Sequence, residues 1–209
     1  MYKTKNLFKS HPWHGVQIGN AAPDIVTSFI EIVPTDTVKY EIDKETGYLK
    51  IDRPQKYSNV IPALYGFIPQ TFSGDRVSAN TIMKTGMENI IGDEDPLDIC
   101  VLTMNTITHG DILVQAIPIG GFRMLDHNES DDKIIAVMKG DAVFGNFRDI
   151  SDCPPTIVEK LRHYFLTYKD LPNEKANVQI VNTFDREEAH NTINYAIKDY
   201  ITYLSKLNN

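Results

Sequence analysis

Cysteine is scarce in this chain. Its 209 residues include two, Cys100 and Cys153, with no CxxC and no metal-ligand spacing. That argues against a disulfide framework and a thiolate zinc site, and for a reduced protein with two inert thiols. Positive charge is also short, with 21 Lys and Arg against 28 Asp and Glu, a net charge of −7. Nucleic acids and anionic membranes select a positive footprint, so neither is an expected partner. No apolar run approaches a transmembrane span. Residues 1–10 carry lysines but no apolar core of signal-peptide length, so the expected location is cytoplasmic. Internal repeats and low-complexity segments are absent too.

What is present suits one well-buried globular domain over residues 1–209: 42% hydrophobic and 23% charged residues, ordinary proportions for a soluble fold. Residues 1–23 read as an irregular arm packed by Trp13 and Val16. A metal clip at His11-Pro12-Trp13-His14 is the weaker alternative to packing and hydrogen bonding. Strands are predicted over 28–33, 38–42 and 48–51, the last two a hairpin around Lys44-Glu45-Thr46-Gly47. Alternation sets Lys39 and Glu41 on the face opposite Val38, Tyr40 and Ile42. Residues 73–91 are polar and poorly periodic and read as a long excursion between strands. Further strands are predicted over 112–119, 122–125 and 133–138, with Gly120-Gly121 separating the first two. Two helices close the chain. Pro154 and Pro155 suit a helix start, followed by a stripe of Ile157, Val158, Leu161, Tyr164, Phe165 and Tyr168. Asp185 and Glu188 have capping-box spacing, followed by an apolar face from Ala189 to Leu204. Strands first and helices last make an α+β, mainly β fold.

Asp93-Glu94-Asp95-Pro96-Leu97-Asp98 puts four carboxylates at one bend. Such crowding is unfavourable without neutralising cations. All-oxygen carboxylate sites suit hard cations such as Mg²⁺, which often binds together with substrate phosphate. An EF-hand does not fit, because Asp98 would stand where that loop needs its glycine. A second acidic cluster, Asp126-His127-Asn128-Glu129-Ser130-Asp131-Asp132, ends at Lys133. By itself it reads as a solvated hairpin loop. Two clusters facing one another would hold several hard cations, an arrangement that serves phosphoryl transfer. Lys39, Arg53, Lys133, Lys169, Tyr65 and Tyr168 are the candidate phosphate binders, Arg as a bidentate fork and Lys as a point charge. Singly, each is better explained by a surface ion pair than by a ligand role.

Several segments together resemble the soluble family I inorganic pyrophosphatases. They are Phe29-Ile30-Glu31-Ile32, Lys39-Tyr40-Glu41-Ile42-Asp43, Asp52-Arg53-Pro54, Tyr65-Gly66-Phe67-Ile68-Pro69, the Asp93 to Asp98 run, the Asp126 to Lys133 run, and Tyr168-Lys169-Asp170-Leu171. They follow the family's order. The His-Pro-Trp-His-Gly arm and the long excursion resemble its longer, chlamydia-like bacterial branch. The resemblance implies a closed OB-like β-barrel with flanking C-terminal helices. It implies Mg²⁺-dependent hydrolysis of pyrophosphate to two orthophosphates by a metal-activated water, in a homo-oligomer, with Mn²⁺ or Zn²⁺ as other oxygen-site ions. By motif position, Asp93, Asp98 and Asp131 would hold a first metal, and Asp98 would bridge to a second. Asp126 and Asp131 would take an ion arriving with substrate, and Glu41 another through water. Glu31 would shape the layer behind the ligands. Asp95 would be the general base, and Lys39, Arg53, Tyr65, Lys133, Tyr168 and Lys169 would bind the phosphates.

Two positions depart from the family pattern. Ile61 stands where many members have a tyrosine, which leaves one hydroxyl missing or supplied from elsewhere, with Tyr57 as one source. His127 stands where compact bacterial members have Glu. A metal phosphohydrolase acting on organic diphosphates is the competing enzyme. A non-catalytic OB-like nucleic-acid module is opposed by the net charge and by the lack of aromatics flanked by Lys or Arg.

Overall fold

The computed structural model describes residues 9–55, 59–170 and 176–207. In chain order the elements are β1 (Val26–Ile32), β2 (Val38–Ile42), β3 (Leu49–Pro54), β4 (Leu64–Phe67), α1 (Asp75–Thr85), β5 (Ile91–Gly92), β6 (Asp98–Leu102), β7 (Ile112–Asp126), β8 (Glu129–Ser130), β9 (Lys133–Met138), α2 (Pro155–Thr167), β10 (Val178–Phe184) and α3 (Arg186–Leu207). Strand β1 pairs antiparallel with both β4 and β7, β4 with β6, β6 parallel with β9, and β9 antiparallel with β7. The pairings therefore return to β1. Strands β8 and β10 attach to the far half of β7, and β2–β3 forms a separate hairpin.

Period-two alternation gives this sheet two apolar faces. On β6 and β9, Ile99, Val101, Ile134 and Ala136 join a core with Ala189, Ile193 and Ala196 of α3. Cys100, Leu102, Ile135 and Val137 join the opposite core, closed by Leu161, Tyr164 and Phe165 of α2. Cys100 and Cys153 are both buried free thiols, as expected, and burial pushes both up in pKa. The arm docks through Trp13, whose Nε1 donates to the Thr71 carbonyl at 2.8 Å. His14 stacks on the Trp13 ring and its Nδ1 lies 2.9 Å from the Tyr200 hydroxyl. Both imidazoles pack and hydrogen-bond, the His11 ring stacking on His14 and its Nδ1 accepting from the Trp13 N–H at 3.2 Å.

Three expectations change. First, the 73–91 segment is not an irregular excursion, because residues 75–85 form α1. Its buried face is Val77, Ser78, Asn80 and Thr81, a mostly polar stripe that apolar periodicity does not reveal. Its start has no local side-chain cap. Instead Asp199, a full helix away on α3, accepts from the backbone N–H groups of Gly74, Arg76 and Val77 at 2.9–3.2 Å, satisfying donors that a helix start leaves open. Gly86, left-handed at φ 70°, ends it. Second, Gly120-Gly121 does not divide two strands. It lies in a bulge of the single strand β7, which pairs with β9 on both sides of the irregularity. Third, the short strands β4, β5, β6 and β8 are not among the predicted strands, and neither is β10. Its pattern of exposed and half-buried residues is weak, and its pairing with β7 holds it in place. The capping-box spacing at Asp185 is half used. Asp185 Oδ1 accepts from the Glu188 N–H at 2.9 Å, while the Glu188 carboxylate turns to Arg123 and Asn80.

Asp141, just after β9, ties two loops together. Its Oδ2 accepts from Thr103 Oγ1 and the Met104 N–H, and its Oδ1 from the Val143 and Phe144 N–H groups, at 2.7–2.9 Å. Burial opposes the charge, but these donors hold the carboxyl down at about 2. Asp141→Ala is expected to lose about 1–3 kcal/mol at neutral pH. A depressed folded-state pKa stabilises above the ordinary carboxylate value and ceases to do so as pH falls through the folded one. The gap between Asp141→Ala and the unaltered chain should therefore narrow from pH 4 toward pH 2 in denaturant titrations.

Candidate active site

Strand register assembles the site. The parallel pairing of β6 and β9 sets Asp98 opposite Lys133, which brings the first acidic run to the end of the second. Strand β4 lies on the other side of β6, with Phe67 opposite Asp98, and Tyr65 two residues earlier on the same face reaches the same carboxylate. Its hydroxyl donates to Asp98 Oδ2 at 2.6 Å. Lys133, 2% exposed, sends its ammonium between Asp98 and Asp131 and pairs with both. Burial opposes that charge, yet Asp131 and Asp98 outweigh it and hold the Lys133 pKa well above the usual range.

The hairpin supplies a second wall. Lys39 and Arg53 are cross-strand partners. Two cations in that relation repel, and Asp52 relieves it, at 2.9 Å from Lys39 Nζ and 2.6 Å from Arg53 Nη1. Glu41 accepts from Lys39 Nζ at 3.0 Å. Lys169, just beyond α2, pairs with Asp126 at the end of β7, and Lys44 pairs with Asp95. Glu31 lies behind the hairpin, with Oε1 accepting from the Ile42 N–H at 2.7 Å. Burial pushes its carboxyl up to about 8.

All the sequence-predicted residues meet in two adjoining cavities. One, of about 230 Å³, is lined by Lys39, Arg53, Tyr65, Asp93, Asp95, Asp98, Asp126, Asp131, Lys133, Tyr168 and Lys169. The other, of about 120 Å³, adds Glu31 and Glu41 and shares the wall of Lys39, Tyr65, Asp93, Asp95, Asp98 and Asp131. Asp93 is raised well above its ordinary pKa, first by burial and then by the facing charge of Asp131. A half-buried oxygen-only donor set whose charges oppose one another fits a divalent hard cation. Among the described residues no three of these groups already stand as a ready ligand set, and the lysine ammoniums balance the carboxylates.

The sequence reading passes over Tyr164, Glu129 and Lys44, which also line these cavities. Tyr164 carried a signal, since it precedes Tyr168 by one helical turn, and the two rings stack at 5.2 Å. Lys44 is visible only through its partner Asp95. Ile61 is buried in the core beneath α2, and Tyr57 lies outside the described residues. His127 is exposed, with Nδ1 2.8 Å from Asp126 Oδ1.

Comparison with known proteins matches this architecture. Residues 28–201 match the family model described as inorganic pyrophosphatase. The chain is 50% identical to the inorganic pyrophosphatase of Chlamydia trachomatis serovar L2, over 91% of this chain and 94% of that one. It is 48% identical to the Chlamydia caviae protein of the same name, over 96% and 95%. Among solved structures, the inorganic pyrophosphatase from Thermus thermophilus superposes with a TM-score of 0.76 at 29% identity, covering 92% of this chain and 99% of that one. The chain belongs to the inorganic pyrophosphatase family, in agreement with the resemblance carried by its motifs.

Lys133 is a buried cation with two partners, and removing it leaves Asp98 and Asp131 with no cation between them. Lys133→Met is expected to lose about 3 kcal/mol in metal-free buffer at neutral pH, measured by urea denaturation.

Proposed function

We propose that this chain is an inorganic diphosphatase, hydrolysing pyrophosphate to two orthophosphates. One observation carries it: both acidic runs and the cationic residues Lys39, Arg53, Lys133 and Lys169 line a single cavity, so that carboxylates for metal ions face donors for phosphate. The cycle of strand pairings is read as a closed OB-like barrel with the cavity at its mouth, within one domain spanning the chain. A cytoplasmic homo-oligomer is the expected form, and no helix among the described residues is long and apolar enough to cross a membrane.

Asp93, Asp98 and Asp131 would hold the first Mg²⁺, Asp98 sharing a second, Asp126 and Asp131 a third, and Glu41 one through water. When bound, these ions neutralise the phosphate oxygens and lower the pKa of a water. Asp95 would accept a proton from the attacking water, and its partner Lys44 keeps the carboxylate at the cavity wall. Arg53 and Lys39, both paired with Asp52, would orient one phosphate. Lys169 and Tyr168 would orient the other, and Lys133 would serve both the carboxylates and the leaving oxygen. Tyr65 would fix the Asp98 carboxylate through its hydroxyl.

Orthophosphate release from pyrophosphate tests this directly. Fast release with Mg²⁺ that a chelator abolishes is expected, and no release from folded protein with Mg²⁺ or Mn²⁺ would sink the assignment. Asp98→Asn should cut turnover about a hundredfold or more while the far-ultraviolet spectrum is kept. Asp95→Asn should lose turnover but keep Mg²⁺ binding by calorimetry. Preference for an organic diphosphate in a substrate panel would point to the competing phosphohydrolase.

A further inference from the structure

Ser73 sits where the two acidic runs meet, and nothing in the proposed chemistry uses it. It is 2% exposed, between the end of the Phe67 strand and α1. Its N–H donates to the Asp95 carbonyl at 2.8 Å, and its carbonyl accepts from the Glu94 N–H at 3.1 Å. Ser73 therefore clasps the backbone of the first acidic run from both sides. Its Oγ donates to the Ser130 carbonyl at 3.1 Å, and Ser130 immediately precedes Asp131. One residue thus bridges both carboxylate segments.

The approach is close enough to dictate sequence. A Cβ on Gly92 would lie 2.1 Å from the Ser73 carbonyl oxygen, so only glycine lets the chain into Asp93 pass beneath it. Helix α1 extends the contact. Thr81 Oγ1 lies 2.7 Å from Ser130 Oγ and accepts from Arg123 Nη1 at 3.2 Å. Arg123 in turn pairs with Asp132 at 3.2 Å, on the other side of Asp131. The Asp131 backbone is thereby gripped at both neighbours, by groups that are all buried. Asp199 pins the start of α1 to α3.

We propose that Ser73, supported by Thr81, is a positioning residue that sets the spacing between the two carboxylate segments and thereby the divalent-metal affinity of the site. The carboxylates of Asp93 and Asp131 repel in the absence of metal. A brace that resists their separation leaves less reorganisation to be made when the ion binds. Groups behind metal ligands typically change affinity by about 10–100-fold when removed. The role rests on the assignment of a metal-dependent diphosphatase, and it concerns metal affinity rather than the hydrolytic step.

The test is calorimetric titration with Mg²⁺, and separately with Mn²⁺, of the full chain and its variants. Ser73→Ala and Thr81→Val are expected to raise the Kd for Mg²⁺ about tenfold, while kcat and KM for pyrophosphate at saturating Mg²⁺ stay those of the unaltered chain. Thr81→Ser, which keeps the hydroxyl, should restore the affinity. Met83→Ala, on the exposed side of α1 at 67% exposure, should change nothing. An unaltered Kd in folded Ser73→Ala overturns the proposal, as does loss of kcat at saturating Mg²⁺, which would make Ser73 part of the hydrolytic machinery. Thr81→Val carries the same decision if Ser73→Ala does not fold. No Mg²⁺ binding by the unaltered chain would overturn the metal-dependent assignment itself.

Discussion

Mutual repulsion among half-buried carboxylates is the constraint around which this molecule is organised. Asp93, Asp98 and Asp131 share one cavity wall, and burial makes each charge costly. Without metal the structure balances them with cations placed by register. Lys133 lies between two of them, Lys169 on Asp126 and Lys44 on Asp95. Because the balancing lysines come from β9, the end of α2 and the hairpin, the site draws on nearly every part of the fold. Such pairs add little net stability, since desolvation offsets attraction. Their effect is to hold a high density of negative charge at a defined place, where divalent ions and an anionic substrate can be received together.

Behind that wall stands a second polar layer, which joins the helices to the sheet. Arg123 of β7 is almost fully buried between Asp132 and Glu188, and Glu188 is further held by Asn80 of α1 and Lys84. Burial pushes the Asp132 carboxyl up to about 7, against the pull of Arg123. An apolar contact would pack α3 equally well, but it would not fix the direction of the Ser130 to Asp132 segment. Directional bonds do, because the Arg123 guanidinium reaches Asp132, Glu188 and Thr81 together in one orientation.

Much of this was legible from residues alone. The site was readable because its chemistry concentrates unusual residue types in two short runs, Asp93 to Asp98 and Asp126 to Lys133, and because aromatic and basic residues recur at strand ends. The elements that escaped are those whose local pattern is ordinary. Helix α1 buries Ser78, Asn80 and Thr81 and is capped from α3, so neither apolar periodicity nor a local cap marks it. Strand β10 has half-buried, mixed residues that make sense only against β7. Gly120 looks like a break because glycine weakens strands, whereas here it allows a bend within one strand.

The sequence by itself determined the composition of the site, the hairpin around Lys44 to Gly47, the strand over 133–138, the terminal helices and the family. These depend on local periodicity and on residue types whose chemistry is narrow. Only the tertiary structure decided which charges meet. Asp98 finds Lys133 through parallel register across 35 positions, Asp199 caps a helix more than a hundred residues away, and Ser73 joins two acidic runs that the chain separates by the 27 residues from Ile99 to Leu125. Contacts of that kind carry no local signature. They are set by how strands pair and helices dock, and the energy that selects them belongs to the assembled core rather than to any one segment.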